Sequence, residues 1–323
     1  MRFSIIRAHI WVEIGLILAF ILISLLSLSS WARRTGGELP LDGKGYLDRA
    51  DGYFAEGQLA DAMVASWYAR LKDPDLLKAR YNVALIYYQN KWTPDALAEL
   101  SEIIKRDPNH VDALLLKARI LGEQGDFERA NGIYLQVLGI DPDNAEAHYY
   151  LGVNFQTADP RVAGKELRES IRSDPNLKPH PLEDFPFGLK ARLQLGRLLY
   201  NEGDLDGALA VLEEGYSLNP EYGELRSQFI DYLKVKAQAY QTGFRDYLKS
   251  LEVYERIVSI DPNDDEAWEW IGKINRYYLE DYEKALEAYR KAYEITNDPY
   301  LLAAVKEVEL ILKQESEKQG KTQ

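Results

Sequence analysis

The 323-residue sequence has no cysteine, which removes disulfides, thiolate-bound zinc or iron–sulfur clusters and a cysteine nucleophile. The redox compartment stays open, because a chain without thiols suits either. Histidine is nearly as scarce: His9, His110, His148 and His180 never stand two together at ligand spacing. Positive charge is also short. There are 39 Lys and Arg against 52 Asp and Glu, a net charge of −13. Four of the arginines (Arg2, Arg7, Arg33, Arg34) lie in the first 34 residues with a single acid, Glu13, so the remaining body is more acidic still. Such a body repels phosphate backbones, and no nucleic-acid partner is expected.

Chemical motifs are missing as well. Gly43-Lys44 could belong to a phosphate-binding loop, but that loop needs glycine where Glu38 stands and a hydroxyl where Gly45 stands. Asp261, Asn263 and Asp265 open like a calcium loop, yet Glu266 and Gly272 replace its essential glycine and bidentate acid. Nothing assembles a nucleophile with a base. The expectation is a non-enzyme without metal or cofactor.

Residues 14–32 are a run of 19 without formal charge, dominated by Ile, Leu, Phe and Ala. A helix of that length spans about 28 Å, close to the hydrocarbon thickness of a bilayer. Trp11 and Trp31 bracket it at interfacial positions. We expect a transmembrane anchor over 1–34 with basic flanks. Ser30-Trp31-Ala32 also fits signal cleavage before Arg33, although the run exceeds the usual h-region of a signal peptide. Lys and Arg on the two sides nearly balance, with a slight lean to an extracytoplasmic body.

The body is periodic. Pro74, Pro108, Pro142, Pro175, Pro220 and Pro262 follow Asp, or Asn219 in one case, at spacings of 34, 34, 33, 45 and 42. Small residues recur eight positions into each unit (Ala50, Ala84, Ala118, Gly196, Gly272) and again at Ala62, Ala96, Ala130, Ala208 and Ala285. These let two helices approach closely. Large residues such as Tyr53, Tyr87, Tyr134 and Tyr289 fill the space between units. The residue before each proline avoids the α region and so ends a helix.

Residues 43–298 resemble the tetratricopeptide (TPR) family, whose Trp–Leu-Gly–Tyr–Ala–Phe–Ala–Pro pattern recurs every 34 residues. The resemblance implies an all-α TPR superhelical solenoid of about seven helix-turn-helix repeats. The expected organisation is a linker at 35–45, repeats one to four over 46–175, a proline-rich insert at 176–188, and repeats five to seven over 189–298. A capping helix follows at 299–315, then a polar tail at 316–323 that should fray. The insert, with Pro179, Pro181 and Pro186, is expected to divide four repeats from three. The sixth unit reads as degenerate, with a long first helix near Glu221–Gln241.

In the family, positions 2, 5, 9 and 12 of each first helix line a concave groove. Carried onto this sequence, they give Lys78, Tyr81, Leu85 and Tyr88 in the second unit, Leu115 and Arg119 in the third, Tyr149 and Val153 in the fourth, and Lys190, Arg197 and Tyr200 in the fifth. This basic and aromatic set would suit an extended peptide with apolar and acidic side chains. The family's clamp for chaperone tails does not fit, since Leu47, Asp51, Asp112 and Leu116 replace four of its five residues. The resemblance extends to membrane-anchored bacterial TPR proteins, which implies a single-pass scaffold of the inner membrane that assembles an envelope complex. A secreted binding protein and the accessory arm of an enzyme complex are the competing readings. Oligomeric state is open.

Overall fold

The computed structural model describes residues 42–175, 177 and 184–320. The expected anchor, most of the linker, residues 176 and 178–183 of the insert, His9, His180 and the last three residues lie outside that range. Among the described residues, no helix is long and apolar enough to cross a membrane.

Among the described residues, fifteen α-helices make seven antiparallel pairs and a closing helix. In order they are α1 (Gly43–Ala55), α2 (Leu59–Lys72), α3 (Leu77–Gln89), α4 (Thr93–Arg106), α5 (Val111–Glu123), α6 (Phe127–Ile140), α7 (Ala145–Phe155), α8 (Pro160–Ser173), α9 (Phe187–Asn201), α10 (Leu205–Leu218), α11 (Gly223–Ala239), α12 (Tyr247–Ile260), α13 (Asp265–Ile274), α14 (Tyr282–Thr296) and α15 (Pro299–Gly320). They form two compact units that meet in sequence between Tyr150 and Leu151.

The Asp-Pro stops do more than exclude helix. Asp107 closes α4 in extended backbone, and its Oδ1 accepts the Asn109 N–H at 3.0 Å. Asp261 and Asn219 do the same for Asn263 and Glu221, each at 3.0 Å. The His110, Asp264 and Tyr222 N–H groups then close turns onto the carbonyls of Asp107, Asp261 and Asn219. The side chain therefore supplies the turn that proline permits, which only Asp or Asn does well at this spot. Entry to the second helices is capped likewise: Asp126, Asp204, Asp246 and Asp281 accept from the Arg129, Gly207, Lys249 and Lys284 N–H groups.

In six of the seven pairs the turn holds one left-handed residue, the shorter turn of the fourth pair being the exception. Glycine provides it at Gly57, Gly125 and Gly203, but Lys91, Arg245 and Glu280 carry it in repeats two, six and seven. In the last two the turn is wider. The segments Tyr240–Phe244 and Asn275–Leu279 are π-helical, and the Asp246 and Asp281 N–H groups reach back six residues to Tyr240 and Asn275 at 2.9 Å.

The columns of small residues lie in the core. Ala62, Ala96, Ala130, Ala163, Ala208 and Ala285 are all fully buried. Ser250, fully buried and bonded to Gln241, fills the same place in the sixth pair. That pair is thus an elongated repeat rather than a degenerate one. Its first helix starts at Gly223 and runs through the π-helical segment to Phe244.

Two boundaries differ from expectation. Gly188 N–H donates to Asp174 Oδ2 at 3.0 Å, so the chain leaves α8 and returns to the same spot at the start of α9. A Cβ on Gly188 would stand 2.5 Å from the Asp174 carbonyl oxygen, which is why glycine is there. The insert is an excursion, and the division between compact units falls elsewhere. The closing helix also continues to Gly320 through Gln314, Glu315, Glu317 and Lys318, all strong helix formers, so most of the expected frayed tail is helical. Its Leu301, Ala304, Val305 and Val308 pack on Ala285, Tyr289 and Ala292, covering the last repeat as a solenoid requires.

Candidate groove on the first helices

In the first unit, α3 carries Lys78, Tyr81, Leu85 and Tyr88, α5 carries Arg119, and α7 carries Tyr149. In the second unit, α9 carries Lys190, Arg197 and Tyr200. Their surroundings change the electrostatic reading. Lys78 pairs with Asp51, Arg119 Nη2 with Glu146 Oε1 at 2.6 Å, and Arg197 Nη2 with Glu224 Oε1 at 2.9 Å. Each pair spans 27 residues and joins position 9 of one first helix to position 2 of the next. Asn82 also donates to Asp51, and Arg197 Nε to Gln228. Three of the four groove cations are therefore rungs of an inter-repeat ladder, paired with acids. The expectation of a basic groove is corrected to this extent: the stacking of the repeats pairs Lys78, Arg119 and Arg197 with acids.

Arg119 is the most committed of them. It is 4% exposed, and its guanidinium lies 5.1 Å from the centroid of the Tyr150 ring. Tyr150 stacks on buried Tyr134 at 5.5 Å, and Tyr149 meets it edge-on at 5.1 Å. Tyr149 and Leu85 are both buried, each 7% exposed. Arg119, Tyr149 and Leu85 thus hold repeats together rather than offering themselves to a ligand.

Tyr81 and Tyr88 are different. Both are half-buried. Tyr81 lies against the His110 ring, centroids 6.1 Å apart. Burial pushes its hydroxyl above the usual tyrosine range, with the charges of Asp112 and Glu146 adding to the rise and Arg119 opposing it. Tyr88 donates its hydroxyl proton to Glu123, and burial together with that bond pushes its pKa up to about 12. In the second unit, Tyr200 stacks on Tyr232 at 4.1 Å, and Lys190 sits 5.7 Å from the centroid of Phe187.

Sequence reasoning missed the acids Asp51, Glu146 and Glu224, which decide the charge of this surface. The signal was available as opposite charges recurring 27 residues apart. Also unanticipated is a cleft of about 530 Å³ between α10, α11 and α12, with Leu209, Leu233 and Val253 in its lining. Its cations are paired too, Lys236 with Asp206 and Arg256 with Glu213.

Models of the tetratricopeptide repeat match residues 84–145 and 115–176, and again 189–222 and 265–299. This is a tetratricopeptide-repeat protein. Among curated relatives, Protein O-mannosyl-transferase TMTC3 of Homo sapiens is 29% identical over 143 residues, 43% of this TPR chain. The chain spans about 15% of that relative's length. Among solved structures, the C-terminal part of a TPR repeat-containing protein from Cytophaga hutchinsonii aligns with a TM-score of 0.58 at 14% identity. It covers 80% of this chain and 99% of that one. A tetratricopeptide repeat protein from Parabacteroides merdae aligns at a TM-score of 0.47 and 17% identity, over 82% and 98% of the two chains. Likeness at these identities is likeness of fold.

Proposed function

We propose that this TPR protein is a scaffold that binds a partner protein or extended peptide along the first helices of its repeats. Residues 14–32 tether it to a membrane as a single-pass anchor, in a bacterial inner membrane where it serves the assembly of an envelope complex. The observation that carries the binding reading is the state of Tyr81 and Tyr88. Tyr134 and Tyr289, which lie wholly inside the stack, are each 1% exposed, whereas Tyr81 and Tyr88 are half-buried at positions 5 and 12 of one first helix, two of the groove positions of the family pattern. Half-buried tyrosines on a rigid helix cost a ligand little ordering entropy.

A crosslinking pull-down from native membranes tests the binding. Tyr81→Ala with Tyr88→Ala should lower partner recovery while the circular dichroism spectrum stays helical; unchanged recovery moves the site elsewhere. The tether is tested separately, because carbonate-washed membranes should retain the chain and release would refute the anchor. A mature mass shortened to begin at Arg33 would favour the secreted form. The likeness to the human O-mannosyl-transferase supports a second reading, an accessory arm of an enzyme complex. Co-purification of a glycosyltransferase through the same tyrosines would select it.

A further inference from the structure

Three rungs of the first-helix ladder have a basic and an acidic member 27 residues apart: Asp51 with Lys78, Arg119 with Glu146, and Arg197 with Glu224. Between repeats two and three the rung is incomplete. Position 9 is Leu85, and 27 residues on, position 2 is Asp112. Asp112 is exposed and makes no hydrogen bond or ion pair to any described residue. Its carboxylate is close enough to Tyr81 to raise that phenol's pKa, and Tyr81 in turn faces His110. The gap therefore holds an unneutralised acid beside half-buried Tyr81 and, one turn beyond buried Leu85, half-buried Tyr88.

We propose that a lysine or arginine side chain of the partner peptide occupies this gap, taking Asp112 as counter-ion and completing the rung. The inference rests on the reading that a peptide lies along the first helices. The chemistry matches a long basic side chain part by part. Its charged head suits Asp112, while the half-buried Tyr81 and Tyr88 offer apolar surface to its methylene stem and attract the cation through their quadrupoles. The favourable dipole at the start of α5 explains why a carboxylate is tolerated at Asp112. It does not explain why the cation found in the other three rungs is replaced by leucine. The net charge of −13 likewise favours a basic partner over an acidic one.

The test uses the full chain in detergent micelles and three pools of extended decapeptides. The pools have Lys, Glu or Ser fixed at the centre and Ala, Leu, Tyr, Ser and Gly randomised around it, and retention is measured at equilibrium. The Lys pool should be retained roughly fivefold or more over the Glu pool. That preference should vanish in Asp112→Asn and in Leu85→Lys, which installs the missing cation, and persist in Glu128→Gln, an exposed acid on α6. Asp112→Asn alters only an exposed side chain, so it decides the matter even if Leu85→Lys impairs folding. Equal retention of the Lys pool by Asp112→Asn overturns the inference. So does preference for the Glu or Ser pool that Tyr81→Ala abolishes, in which case the binding groove itself stands. Retention of no pool overturns both.

Discussion

The close crossing of the seventh helix pair can be measured by adding one methyl group. A Cβ built on Gly272 lies 2.8 Å from both Cδ1 and Cε1 of Tyr289 and 3.0 Å from its Cγ. Tyr289 is a rigid ring, 1% exposed and locked against the closing helix, so it has nowhere to move. Gly132, within α6, has nothing within 4 Å of the same built atom. Both substitutions to alanine gain about 1 kcal/mol of helix propensity. Only Gly272→Ala adds an overpacking penalty of about 1–3 kcal/mol. Gly132→Ala should therefore stabilise by about 1 kcal/mol, while Gly272→Ala ends between neutral and about 2 kcal/mol destabilised. The difference between the two isolates the steric term. Urea unfolding followed by circular dichroism gives the free energies, provided the slopes match. Repeat arrays can open in segments, so hydrogen exchange in α13 and α14 against α6 fixes where each change acts. If Gly272→Ala stabilises as much as Gly132→Ala, the crossing has slack and the argument for a small residue there fails. Gly196, whose added Cβ would meet the more adaptable Leu212 at 2.8 Å, should give an intermediate value.

Glu280 and Arg245 hold left-handed backbone at φ of 55° and 51°, so replacing either with glycine should stabilise by about 1 kcal/mol in the same assay. No gain would mean that these side chains make compensating contacts. Arg119→Ala leaves Glu146 buried without its cation and should cost about 3–5 kcal/mol, whereas the double change Arg119→Met, Glu146→Leu should recover most of that loss. An additive double mutant would contradict the pairing. Above pH 10, stability should fall. Tyr88 has a folded pKa of about 12, and those of Tyr81, Tyr134 and Tyr254 are also raised by burial, so the folded state binds these protons more tightly than the unfolded one. The Tyr88 contribution is complete below pH 10 and is lost as pH rises through about 12. Unfolding midpoints that stay flat from pH 9 to 12 would refute it.

Seven pairs and a closing helix were legible from the Asp-Pro and Asn-Pro spacing, because those residues act locally. The extent of the sixth pair was legible only in part. Its alanine is replaced by Ser250, and its turn is a π-helical one whose left-handed residue is Arg245 rather than glycine. The groove was legible as positions but not as chemistry. Lys78, Arg119 and Arg197 read as available cations because their acidic partners lie a full repeat away in sequence. Tyr149 and Leu85 read as groove lining, yet neighbouring helices bury them.

The sequence by itself determined the repeat. Proline forbids helix at its predecessor, Asp or Asn supplies the turn, and the smallest residues permit the crossing, all within one 34-residue unit. Tertiary structure alone decided which charges remain for a partner. Positions 9 and 2 of successive first helices meet only when the repeats stack, and stacking neutralises three of the cations while leaving Asp112 unmatched. It also decided that the proline-rich insert returns to its starting point, since the contact between Asp174 and Gly188 joins residues separated by the whole excursion.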